Sequence, residues 1–153
     1  MNIDINNVYS QCSHGYENDA DFESLVGKTV TAIIPCVLEY KGITPCKSLA
    51  KGVDAIIFTT ECGKVYMMHH RQECCENVQL EDFEGDTSDI IGSPILRAEE
   101  STNEDKVDKG IDEYKWTFYK LATIKGWLDL RWLGVSNGYY SESVEFTKYK
   151  GKL

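Results

Sequence analysis

Three short segments near the C-terminus alternate apolar and polar residues, and turn signals separate them. The segments are 114–124, 127–133 and 139–147. Each has the period of two that β-strands show, because successive side chains of a strand point to opposite faces. The dipeptides Lys125-Gly126 and Asn137-Gly138 stand between them and are typical of hairpin turns. The pattern predicts a three-stranded antiparallel meander, which needs further strands to bury its apolar face.

Earlier segments of the chain also have strand character. A run rich in β-branched residues occupies 29–38, and a shorter alternating run occupies 77–82. The segments 53–60 and 64–70 flank a turn at Cys62-Gly63 and predict a hairpin. Two short helices are predicted, over 19–26 and just after Asp86. We therefore expect a mostly β fold with a minor α component, built as a single-domain β-sandwich or open barrel of about seven short strands.

The chain length and the polar stretches predict the domain organisation. The 153 residues fit one domain. Residues 1–18 are polar and aperiodic and are expected to form a loose N-terminal arm, while 19–153 form the β-rich domain. Residues 97–113 are acidic and nearly devoid of apolar side chains, so we expect a mobile acidic loop there.

Charge is unevenly spread over the chain, whose formal net charge is −9. Residues 72–96 carry seven acids and no base, whereas 114–153 carry seven bases and three acids. The acidic middle is expected to repel double-stranded nucleic acid, and the basic C-terminal part to attract anions.

Targeting signals and cysteine usage suggest a cellular setting. No apolar run is long enough for a membrane span, and the N-terminus lacks the pattern of a signal peptide. We therefore expect no membrane association and a cytoplasmic location. In that reducing compartment the six cysteines are expected to be thiols or ligands rather than a disulfide framework.

The densest cluster of reactive side chains spans 69–76. His70, Cys74 and Cys75 are the candidate metal ligands, but a closed zinc site draws paired ligands from two places in the chain, and no second pair is present. We therefore expect no bound metal and no cofactor. His70 and Glu73 are candidate ligand-binding residues, and a thiol or metal enzyme centred on His70 and Cys74 is the alternative. No common catalytic motif occurs in the sequence.

A second candidate site lies in the predicted meander. Arg131 shares a strand face with Asp129, and one of Tyr139 and Tyr140 is expected on the same side. A guanidinium can hold a phosphate and a ring can stack on a base, so Arg131, Tyr139 and Tyr140 are candidate ligand-binding residues for a nucleotide. The alternative is that a carboxylate of its own sheet neutralises Arg131.

Two groups of motifs resemble a family of small, uncharacterised proteins encoded mainly by bacteriophages and prophages. The first is His70-x-Gln72-Glu73-Cys74-Cys75-Glu76 with Glu81-Asp82, Gly85-Asp86, 89–95 and 98–100. The second is 116–123 with Lys125-Gly126, Arg131-Trp132 and 136–144, which includes Ser-Asn-Gly-Tyr-Tyr-Ser-Glu-Ser. The resemblance implies a phage origin and a cytoplasmic setting, gives no residue a role, and leaves 1–52 outside.

These observations together favour a non-catalytic, phage-type binding protein. Antagonism of a host antiviral defence is the expected role, by binding a host defence protein or by sequestering a nucleotide-like small molecule. The alternatives are the enzyme centred on His70 and Cys74 and an acidic mimic of nucleic acid that uses 72–113. Assembly into a homo-oligomer stays open.

Overall fold

Two antiparallel β-sheets face each other in the computed structural model, which describes residues 3–14, 18–40, 42–106 and 113–151. The strands are β1 (Val30–Glu39), β2 (Gly42–Pro45), β3 (Ala55–Thr60), β4 (Val65–His69), β5 (Asn77–Gly85), β6 (Arg97–Lys106), β7 (Glu113–Thr123), β8 (Gly126–Ser136) and β9 (Glu145–Tyr149). Helix α1 spans Ile5–Cys12, and short 3-10 helices span Phe22–Leu25 and Thr87–Asp89. The predicted mostly β, sandwich-like fold is confirmed, with nine strands described and neither sheet closed into a barrel.

The main core lies between the two sheets. One sheet has the order β2-β1-β3-β4-β9 and the other has the order β5-β8-β7-β6. Ile56 and Phe58 of β3 pack in one cluster with Tyr119 of β7 and Trp132 of β8. The indole N–H of Trp132 lies 3.2 Å from the sulfur of Met68, so the largest buried ring also has a polar partner.

Helix α1 forms a third layer on the far side of the five-stranded sheet. Val8 and Cys12 of α1 are buried against Ile57 and Met67, and the side chain of Asp4 caps the helix. Because β3 and β4 are covered on both faces, every residue of the two strands is buried, and apolar residues follow one another instead of alternating with polar ones. The expected loose arm is therefore wrong for 5–12, while 1–2 and 15–17 lie outside the described residues. No helix in the described parts of the chain is long and apolar enough to span a membrane.

The predicted mobile loop at 97–113 is instead an edge strand over its first ten residues. β6 pairs with β7 along its whole length, from Arg97 opposite Ala122 to Lys106 opposite Glu113. Among 97–103, Ala98 alone is buried, which is why the sequence lacks an apolar signal. An edge strand with polar side chains also resists pairing with other chains. Residues 107–112 lie outside the described residues.

The predicted meander is half correct. β7 and β8 form the expected hairpin, but β9 pairs with β4 in the opposite sheet. The connection 137–144 carries the chain from β8 in one sheet to β9 in the other. It passes so close to β8 that a Cβ atom at Gly134 would lie 2.6 Å from the carbonyl oxygen of Glu142. Burial of Phe146, whose ring stacks on Tyr66 with centroids 5.2 Å apart, stabilises β9 in its position.

Candidate functional site

The predicted cluster around His70 forms a tightly hydrogen-bonded loop between β4 and β5. Nε2 of His70 lies 3.0 Å from Oε2 of Glu76, and the two side chains are 4% and 0% exposed. The Glu76 carboxylate also accepts hydrogen bonds from the Gln72 amide nitrogen at 2.9 Å and from the backbone N–H groups of Glu73 at 3.1 Å and Cys74 at 2.8 Å. We call this arrangement of His70, Gln72, Glu73, Cys74 and Glu76 the carboxylate clamp.

Both ring nitrogens of His70 are engaged in the carboxylate clamp. Nδ1 lies 2.6 Å from the carbonyl oxygen of Ser143, which can only accept, so Nδ1 carries a hydrogen. Burial raises the pKa of Glu76, but the hydrogen bonds from Cys74, His70 and Glu73 together bring that pKa below its ordinary value. The clamp therefore holds a carboxylate and ties the loop to the connection 137–144. Both ring nitrogens of His70 are occupied by hydrogen bonds within the protein, so neither is open to a metal ion or a substrate.

The cysteines beside the carboxylate clamp differ from expectation. Cys74 and Cys75 are exposed and joined by a disulfide, whereas four other cysteines are free. The expectation of thiols is therefore wrong for this adjacent pair. In the described residues no three His, Cys, Asp or Glu side chains are grouped as metal ligands would be.

His69, the neighbour of the clamp histidine, points to the other face of β4. Its side chain is buried, and Nε2 lies 3.3 Å from the hydroxyl oxygen of Thr147. Desolvation, with a smaller contribution from the charge of Arg71, lowers the pKa of His69 to about 3. The ring is therefore neutral in the physiological range and forms part of the packed interior.

The candidate residue Arg131 lies in the middle of β8 and is bound to its own sheet. Its Nη2 atom is 2.6 Å from Oδ2 of Asp82 and 3.1 Å from Oε1 of Glu84, both on β5. A carboxylate of the same sheet was the alternative to a ligand, and Arg131 has two of them. Ligand binding by Arg131 stays a prediction, and a ligand would have to compete with these two carboxylates for the guanidinium.

The two candidate tyrosines lie apart from Arg131. Tyr139 and Tyr140 belong to the connection 137–144, and their rings meet edge to face with centroids 4.9 Å apart. Tyr139 is 82% exposed, while Tyr140 lines a cavity of about 370 Å³ with Cys75 and Glu76. The structure thus brings Tyr140 to the carboxylate clamp, whereas Arg131 lines a different cavity, of about 650 Å³.

A groove of about 650 Å³ crosses β6, β7 and β8. Phe118, Lys120, Asp129 and Arg131 line it from positions that alternate with the buried residues of β7 and β8, so they belong to the outer face of the four-stranded sheet. The ring of Phe118 is stacked with that of Trp116, with centroids 6.2 Å apart. We call this feature the outer groove.

Carboxylates outnumber cations in the outer groove. The lining carboxylates are Glu23, Glu84, Glu99, Glu100 and Asp129, and the lining cations are Lys120 and Arg131. Two of these carboxylates are ion-paired, because Glu84 bonds Arg131 and Glu99 bonds Arg97 on its own strand. Desolvation, with a smaller contribution from the charge of Glu145, raises the pKa of Glu100 despite a hydrogen bond from the Tyr119 hydroxyl. Within the described residues, Asp129 is the carboxylate of the outer sheet face that lines the groove and takes part in no ion pair.

A family model now gives this domain a place among known proteins. Residues 23–146 match DUF7448, a domain of unknown function. The chain belongs to the DUF7448 family. The DUF7448 segment contains β1 to β8, the carboxylate clamp and the outer groove, and it begins well before residue 53, where the sequence resemblance was expected to start. No curated protein and no solved structure matches the chain.

Two features of the DUF7448 domain were missed at the level of sequence. Glu76 was part of a recognised motif, but nothing in its spacing from His70 indicated a buried pair. Glu99 and Glu100 fall in the predicted loop 97–113, so the sequence indicates neither the place of Glu99 in the groove nor the hydrogen bond from Tyr119 to Glu100. The alternation of 114–124 did place Trp116 and Phe118 on a common face, and that signal is the one that could have located the groove.

Proposed function

We propose that the protein is a non-catalytic binding protein whose partner, another protein, docks on the outer face of the four-stranded sheet. Helix α1 covers the outer face of the five-stranded sheet, but within the described residues no α-helix or further sheet covers this one. Trp116, Phe118, Leu133 and Val135 all point outward there and are half-buried. This uncovered face with aromatic residues at its centre is the observation that carries the proposal, because protein interfaces are enriched in such residues.

The chemistry of the same face favours a basic partner surface. Exposed carboxylates border it on both sides, with Asp82 and Glu84 on β5 and Glu99 on β6. Arginines of the same sheet pair with them and neutralise part of this charge. Opposite potentials on two surfaces accelerate their encounter and disfavour partners of the wrong charge. The excess of acids also disfavours an anionic nucleotide, so a protein partner is the better supported of the two ligands that the sequence suggested.

Antagonism of a host antiviral defence protein, in the cytoplasm of the host cell, is the biological role that we propose for this binding. It rests on the resemblance to phage and prophage proteins and on no contact in the structure. The enzyme alternative has less support, since both nitrogens of His70 are engaged and the Cys74 sulfur is bound to Cys75.

An acidic mimic of nucleic acid is the second candidate, and the carboxylates on both borders of the face favour it. A mimic would occupy the nucleic-acid site of its partner, so excess double-stranded DNA should displace the protein from that partner. A partner that binds DNA and this protein together contradicts the mimic and leaves the docking face intact.

Site-specific photocrosslinking tests the docking face. A protein with p-benzoylphenylalanine in place of Trp116 is irradiated in host-cell lysate, and the matched control carries the same group in place of Tyr40, which is 97% exposed and lies at the end of β1. We expect a discrete crosslinked product at position 116 that is absent at position 40. Equal products at both positions, or none at position 116, would contradict the proposal.

A further inference from the structure

Building on the proposed docking face, we propose that the outer groove binds the guanidinium group of an arginine side chain of the partner protein. Three observations point to this ligand: a stacked aromatic ring in the groove, a buried carboxylate oxygen without a partner, and the excess of acids over bases.

The ring of Phe118 offers a flat surface to a planar cation. Phe118 lines the groove, and its ring lies nearly parallel to that of Trp116, with 7° between the planes. A guanidinium is planar and weakly hydrated, so it stacks on an aromatic face more readily than an ammonium does. The ring therefore favours arginine over lysine.

Asp129 supplies a hydrogen-bond acceptor that the protein itself does not use. Its Oδ1 atom is buried and has no hydrogen-bond partner. Lys120 lies directly opposite on β7, but no ion pair joins the two side chains. A buried acceptor without a donor is costly, and an N–H group of a bound guanidinium would remove that cost.

Arg131 adds a donor suited to the peptide backbone that carries the bound arginine. Its Nη2 atom is held by Asp82 and Glu84, while its Nε–H group is buried without a partner. A peptide carbonyl oxygen beside the arginine side chain would accept from Nε without adding charge. The groove thus offers acceptors to a cation and one donor to a neutral oxygen.

The charge of the ligand determines whether removing a charged side chain from the groove strengthens or weakens binding. Removing the negative charge of Asp129 should weaken binding of a cation, and removing the positive charge of Lys120 should strengthen it. An anion would respond in the opposite way to both changes. Among the described residues, neither side chain has a hydrogen bond or ion pair, so both substitutions should leave the fold intact.

The experiment is an NMR titration of the full chain with Nα-acetyl-arginine amide. The neutral isostere Nα-acetyl-citrulline amide, Nα-acetyl-lysine amide and adenosine monophosphate serve as comparison ligands. We expect the arginine amide to shift the amide signals of Phe118 and Asp129, and to bind more tightly than the other three ligands. Asp129→Asn should weaken this binding by about tenfold and Lys120→Ala should tighten it. Glu61→Gln, in the β3–β4 turn of the other sheet, should not change it.

Equal binding of the citrulline amide, tighter binding of adenosine monophosphate, or an Asp129→Asn variant that binds as well as the original would overturn the inference. The crosslinking experiment at position 116 separates the two proposals. If position 116 yields a crosslinked partner but the arginine amide shifts no signals, the arginine site is refuted and the docking face is supported. A groove that binds the arginine amide while position 116 yields no product refutes the docking face.

Discussion

His70 and Glu76 form a buried pair, with Nε2 and Oε2 separated by 3.0 Å and almost no solvent access to either side chain. The pair stands between two loops, since His70 also contacts the Ser143 carbonyl and Glu76 accepts from the amides of 73 and 74. The carboxylate therefore holds the β4–β5 loop, and His70 joins that loop to the connection that carries the chain from one sheet to the other.

Replacing Glu76 should destabilise the protein strongly. Glu76→Ala removes the acceptor of four hydrogen bonds and leaves buried donors unpaired, so we expect the free energy of unfolding to fall by about 3 kcal/mol. Urea denaturation measures this change. Glu73→Gln is the matched control, because Glu73 contributes its backbone N–H to the clamp and its side chain is exposed, and it should stay within about 0.5 kcal/mol of the original. A loss of similar size in both variants would argue against the clamp.

The same carboxylate should make stability sensitive to acid. The pKa of Glu76 in the folded state lies below its ordinary value of 4.5, so the folded protein binds this proton less readily than the unfolded chain does. The stabilisation is therefore fully present above pH 4.5 and is lost as the pH falls towards the folded-state pKa. Unfolding free energies measured across this range should fall more steeply for the original protein than for Glu76→Gln. Parallel curves for the two proteins would contradict this assignment.

The parts of the fold that sequence predicted are those that local pattern determines. The β7–β8 hairpin follows from alternation on both sides of Lys125-Gly126, and β3 and β4 follow from their β-branched and apolar runs. β6 was missed because its strand state depends on β7 beside it, and an edge strand that buries little has no apolar period. The course of β9 depends on a contact between residues far apart, Phe146 on Tyr66, which no local pattern reports. The same limit hid the Glu76 clamp and the groove carboxylates.

Helix α1 should contribute to stability although its sequence suggested a loose arm. Val8 is 1% exposed and packs on the five-stranded sheet, so Val8→Ala should lower the free energy of unfolding by about 1–3 kcal/mol through lost burial and the cavity that remains. Ser10→Ala, on the exposed side of the same helix, is the matched control and should have little effect. Equal thermal stability of the two variants would mean that α1 does not pack on the sheet in solution.

Strand β6 should be protected from hydrogen exchange. An edge strand in an antiparallel sheet bonds through alternate amides, so about half of the amides over 97–106 should exchange slowly and the others rapidly. Native-state exchange followed by NMR resolves this alternation. If all these amides exchange at the rates of an unstructured peptide, the segment is the mobile loop that the sequence predicts and not a strand.

Arg131 should act mainly through the carboxylates of β5. Its guanidinium is 35% exposed and bonds Asp82 and Glu84, so solvent screening keeps the contribution of these ion pairs small. We expect Arg131→Gln to lower the free energy of unfolding by about 1 kcal/mol, and to have a smaller effect in a protein that already carries Asp82→Asn and Glu84→Gln. The difference between the two effects is the coupling energy of the ion pairs, which urea denaturation of the four proteins measures.

If Arg131→Gln lowers the free energy of unfolding equally with and without the β5 carboxylates, these pairs do not hold the guanidinium in solution. Arg131 would then be free for the nucleotide that the sequence suggested, and titration with adenosine monophosphate would show it.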